Sequence, residues 1–83
     1  MTKQEQAPSV YVAVREGVGG GYANAYGYGR TEYDVHLPNG RVYTYRDGVR
    51  ALELALKVGG RNGVEWDGPQ TNEVVRLWSR WPR

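Results

Sequence analysis

The sequence predicts an α+β fold: a three-stranded antiparallel meander, a packed helix and a C-terminal amphipathic helix. Three observations carry this prediction. Runs of β-branched and aromatic residues between Val10 and Tyr45 alternate in polarity and are broken by Gly-rich and Pro-Asn-Gly turns. An aliphatic stretch follows Asp47 and ends at Gly59-Gly60, the start and stop signals of a helix. Near the C-terminus, Val74, Leu77, Trp78 and Trp81 recur at i, i+3, i+4 and i+7, which is one face of a second helix.

Residues 1–9 are polar, contain Pro8 and show no periodicity, so they read as a flexible N-terminal arm; residues 10–83 read as one domain. Val10 to Arg15 form the first strand, with Val10, Val12 and Val14 on one face and Tyr11, Ala13 and Arg15 on the other. The glycines from Gly17 to Gly21 predict a turn. Tyr22 to Arg30 would, if extended, place Tyr22, Asn24, Tyr26, Tyr28 and Arg30 on one side and only Ala and Gly on the other. Thr31 to Leu37 form the second strand or continue the same one.

Leu37-Pro38-Asn39-Gly40-Arg41 is a proline-led turn, and its register follows from the apolar pattern. A two-residue loop would set Leu37 opposite Val42 and turn Tyr43 and Tyr45 away from Tyr33 and Val35. A three-residue loop, a type I turn with a glycine bulge, sets Leu37 opposite Arg41, Val35 opposite Tyr43 and Tyr33 opposite Tyr45. The second arrangement gathers the apolar side chains into the core and places Glu32 opposite Arg46, so it is the one expected.

Asp47 is the N-cap of the first helix, Gly48 to Val58. On it, Arg50, Glu53 and Lys57 form a narrow polar stripe and the remaining residues are apolar. Val64-Glu65-Trp66 has the character of a short additional strand. Asp67-Gly68-Pro69 then turns into the last helix, Thr71 to Trp81, where Arg76, Arg80 and Arg83 make a basic ridge away from the apolar face.

The chain has 83 residues, with 12 Gly, 7 Tyr, 3 Trp and no Cys. A core of this size must be built from a few large side chains, which suits Tyr and Trp. Absence of cysteine excludes disulfides and thiolate metal sites and points to the cytoplasm. No apolar run reaches the ~20 residues of a membrane span, the first residues lack the apolar segment of a signal peptide, and no membrane partner is expected. The net charge of +2 is too small to assign a nucleic-acid binder by charge alone.

No catalytic set emerges. His36 is the single histidine and belongs on the solvent side of its strand, near Asp34; the only serines, Ser9 and Ser79, lie in the arm and on the last helix. Gly17-Val18-Gly19 starts like a phosphate loop, but the third glycine of that pattern is replaced by Tyr22 and no helix follows. Neither metal nor cofactor is expected.

The expected function is therefore binding. Tyr22, Asn24, Tyr26, Tyr28 and Arg30, beside a glycine-rich loop, have the composition of an adaptable protein-contact surface. This predicts a small protein-binding module, a regulator or inhibitor that occludes a larger assembly; virus-encoded chains of this size often act so. The alternative is a DNA- or RNA-binding module in which Arg76, Arg80 and Arg83 contact phosphate beside sheet tyrosines, with Lys57, Arg61 and Arg30 as additional cations. Trp78 and Trp81 either complete the core or form a homodimer face.

Overall fold

The computed structural model describes residues 9–18 and 30–82. Four strands and two helices follow in the order β1 (Val10–Val18), β2 (Arg30–His36), β3 (Val42–Tyr45), α1 (Gly48–Gly59), β4 (Val64–Asp67) and α2 (Asn72–Arg80). The α+β class is the expected one, but the sheet is not a three-stranded antiparallel meander. It has four strands in the order β3-β2-β1-β4, and β4 runs parallel to β1. The short run at Val64 supplies the extra strand. Parallel neighbours cannot be joined by a tight hairpin. Helix α1 makes the crossover, carrying the chain from the β3 edge to the opposite edge and packing on β1 and β2 on the way.

The hairpin register agrees with the three-residue loop. Val35 pairs with Tyr43 and Tyr33 with Tyr45. The Leu37 amide donates to the Arg41 carbonyl at 2.9 Å, the Gly40 amide donates back to Leu37 at 3.0 Å, and Gly40 has φ +89. A positive φ at that position is what the glycine of the bulge provides. The expected Glu32–Arg46 pair does not form, because β3 ends at Tyr45 and β1 supplies the cation instead: Arg15 lies directly opposite Glu32.

Strand β1 is longer than its alternation suggests. It continues through Gly17, where φ is +73 and the pairing with β2 slips between Arg15 and Val18. Gly17 therefore serves as a bulge within the strand and not as the first residue of a turn. Residues 19–29 lie outside the described residues, as do 1–8 and 83; the arm apart from Ser9, the rest of the glycine turn and most of the Gly/Tyr segment fall there, while the Ser9 amide donates to the Gly63 carbonyl at 2.9 Å.

Both helices lie on one face of the sheet. Val10, Val12, Val35, Ala51, Leu52, Ala55, Leu56 and Val74 are essentially fully buried, with Tyr33 and Val64 close behind. Leu77, Trp78 and Trp81 pack against this cluster, the first of the two roles left open for Trp78 and Trp81. Tyr43 does not join it. It shares the inner face with Val35 but sits beyond the reach of α1 and remains 40% exposed. The solvent-facing side of α1 is also wider than its polar stripe, since Val58 is exposed beside Lys57 and Leu54 is half-buried.

Both helix starts are capped as their residue types require. The Asp47 carboxylate accepts from the Val49 amide at 3.0 Å, and the Thr71 hydroxyl from the Val74 amide at 3.3 Å. Gly60, at φ +76, ends α1.

Candidate functional site

Both described helices lie on one face of the sheet, and no other described element covers the opposite face. The registers set Tyr11 beside His36 and Glu65, Ala13 beside Asp34 and Asp67, and Arg15 beside Glu32; Val42 and Thr44 complete the rows on β3. At the centre is a charged network. Arg15 donates to Asp34 at 2.6 and 3.1 Å and to Glu32 at 3.0 Å, Arg30 donates to Glu32 at 3.0 Å, and the Thr44 hydroxyl donates to Asp34 at 2.7 Å. Hydrogen bonding from Arg15, followed by that from Thr44, holds the Asp34 carboxyl below its ordinary range.

The Tyr11 phenol donates to the Asp67 carboxylate, and that bond, with the charges of Asp67 and Glu65, raises the phenol above its ordinary value. Its ring lies 5.6 Å from that of His36. His36 is thus a solvent-side strand histidine opposite Val42, as expected, and among the described residues its aromatic partner is Tyr11.

Of the five residues expected to form a protein-contact row, Arg30 is described. It opens β2 opposite Val18 and pairs with Glu32. Tyr22, Asn24, Tyr26 and Tyr28 lie outside the described residues. Of the basic ridge, Arg76 and Arg80 are exposed on α2 and, among the described residues, make no ion pair; Arg83 lies outside. The additional cations do not gather around them. Arg61 hydrogen-bonds the Trp81 carbonyl at 3.5 Å near the end of α2, Lys57 faces Glu53 at 3.9 Å, and Arg30 sits at the opposite end of the sheet.

The serines have local roles. Ser79 bonds the Val75 carbonyl within α2 at 3.0 Å, and Ser9 approaches the Gly63 carbonyl at 3.4 Å. Among the described residues no group of three His, Cys, Asp or Glu is arranged to hold a metal ion, and no helix is long and apolar enough to cross a membrane.

Two open grooves escaped the sequence reading. One, about 420 Å³, lies between α2 and the segments flanking β4, lined by Arg61, Asn62, Gln70, Val75, Trp78 and Ser79. The Trp78 indole is fixed there by its bond to the Arg61 carbonyl at 3.1 Å. The other, about 260 Å³, lies between β3 and α1, where Tyr45 and Leu54 meet Arg50, Glu53 and Lys57. Both are products of tertiary placement: each joins residues from segments that no local pattern connects. Comparison with protein-family models, curated proteins and solved structures finds no match to this chain.

Proposed function

We propose that this chain is a non-enzymatic protein-binding module, a regulator or inhibitor that acts in the cytoplasm by occluding a surface of a larger protein assembly. The supporting observation is the outer face of the sheet, which no described helix covers. Both described helices lie on the other side, and this face carries Tyr11, His36 and Val42 exposed around a cross-strand charge network. Contact surfaces are enriched in aromatic residues and arginine, the types that Tyr11 and Arg15 supply here. The Gly/Tyr segment enters this reading through its attachment points, since it joins the two central strands of the same sheet.

Co-purification from the lysate of the source cells, with the tagged chain and with a variant carrying Tyr22→Ser, Tyr26→Ser and Tyr28→Ser, tests the reading. A protein retained by the parent chain and lost from the variant is the expected result; an identical set of retained proteins overturns it. Light scattering of the same samples tests self-association through Trp78 and Trp81.

Arg76 and Arg80, exposed and without an ion pair among the described residues, favour a second reading, nucleic-acid binding. Glu73 shares their stripe on α2 and weakens the local field. Binding to short single- and double-stranded DNA, measured between about 50 and about 200 mM salt, decides it. Affinity that falls steeply with salt and is lost in Arg76→Ala/Arg80→Ala supports this reading, and no binding at the lower salt removes it.

A further inference from the structure

We propose that the open edge of β3 takes an extended, acidic segment of a partner protein as an added strand. The inference rests on the protein-binding reading and names the chemistry of the partner.

Strand β3 is the outermost strand on its side of the sheet. Its hydrogen-bond phase follows from the turn. Leu37 and Arg41 form a hydrogen-bonded pair, so Val35–Tyr43 and Tyr33–Tyr45 are the next bonded pairs along the antiparallel ladder. Val42 and Thr44 lie between them. Their N–H and C=O groups therefore point away from the sheet, a row of free donors and acceptors at strand spacing. Native edges are commonly blocked by proline, a bulge or a covering loop, and among the described residues β3 has none of these within Val42–Tyr45.

The surroundings choose the occupant. Beside the edge, on the helix side, lies the groove floored by Tyr45 and Leu54, with Arg50 and Lys57 along its α1 wall. Arg41 precedes β3 on the same side, where its guanidinium reaches the Tyr43 hydroxyl at 3.5 Å. The one acid lining the groove, Glu53, faces Lys57 at 3.9 Å, with both side chains at least half exposed, so this contact exchanges readily. An incoming strand whose alternate side chains are carboxylates would meet Arg41, Arg50 and Lys57 on the helix side, while its other side chains lie beside Val42 and Thr44 on the outer face. A second copy of β3 is disfavoured, because pairing about a two-fold axis would bring two such basic flanks together.

The probe is a fluorescent heptapeptide, acetyl-Thr-Glu-Val-Glu-Thr-Glu-Val-amide, titrated against the full chain and followed by amide NMR. Binding with shift changes at Val42 and Thr44 is expected. Affinity should fall at least tenfold when Lys replaces Glu in the peptide, when alternate peptide amides are N-methylated, and in Arg50→Glu/Lys57→Glu. Val42→Pro removes one free edge donor at a position that needs no ladder bond and should also weaken binding; the N-methylated peptide makes the same test on the unaltered chain.

Equal affinity for the N-methylated and parent peptides overturns strand addition. So does tighter binding of a single-stranded DNA that depends on Arg50 and Lys57, which would assign the groove to phosphate. If no peptide binds while the tyrosine-dependent co-purification succeeds, strand addition fails and the protein-binding reading stands.

Discussion

With Arg15, Asp34 is the most heavily engaged side chain of the outer face among the described residues, and its chemistry shapes how the domain responds to acid. Arg15 and Thr44 bond its charged form in the folded chain and hold its carboxyl below the ordinary range. The stability it contributes is therefore fully present above the unfolded value, about 4, and is lost as pH falls through the lower, folded value. Asp34→Asn should cost about 1 kcal/mol at neutral pH, at the low end for charged hydrogen bonds because Arg15 is half exposed. Thermal melts of the two proteins at about pH 7 and about pH 2 check this; the difference should shrink at the lower pH. The Arg15–Glu32–Asp34 network was only half legible in the sequence. Alternation placed all three on one face, but which cation would meet Glu32 depended on which strand became its neighbour, and that is a tertiary fact.

At the scale of elements, local signals served best where local chemistry decides the outcome. Asp47, the Gly59-Gly60 stop, the Pro-Asn-Gly loop and the apolar face of α2 each act within a few residues, and each lies where its pattern indicates. Strand β4 is different. Four residues carry little periodicity, and its parallel pairing joins Val10 to Val64 across most of the chain. What makes that junction is Gly63, whose carbonyl accepts from both Ser9 and Val10 at 2.9 Å. A Cβ on Gly63 would lie 1.9 Å from the Gly59 carbonyl oxygen, a backbone atom that cannot move aside. Gly63→Ala should therefore destabilise by about 2 to 3 kcal/mol. Gly60→Ala meets no atom within 4 Å but must adopt φ +76 with ψ 172, a region almost confined to glycine, and should cost about 1 to 2 kcal/mol. Urea midpoints of the two variants test the order; equal losses would mean that the turn, not the close approach, controls the junction.

For the molecule as a whole, the core is thin. Leu52 is among the largest fully buried side chains, and Leu52→Ala should cost about 3 kcal/mol, against a net stability of roughly 3 to 5 kcal/mol for a domain of this size. Collapse of amide NMR dispersion near 37 °C is the expected outcome, whereas a native spectrum there would mean that stability lies well above that range. Which surface binds was less legible than the core, because a groove such as that between Tyr45 and Lys57 exists only after β3 and α1 have packed.

The parallel pairing of β1 and β4 also governs when the fold can be completed. Of the described strands, β1 is the first to be synthesised, yet one of its two neighbours, β4, is the last, so that side of its ladder stays open until β2, β3 and α1 have been made. Such long-range closure slows folding relative to hairpin-only sheets. During that interval the nascent chain carries an unfinished edge at its centre, and chaperone dependence at this stage should exceed what its small size suggests.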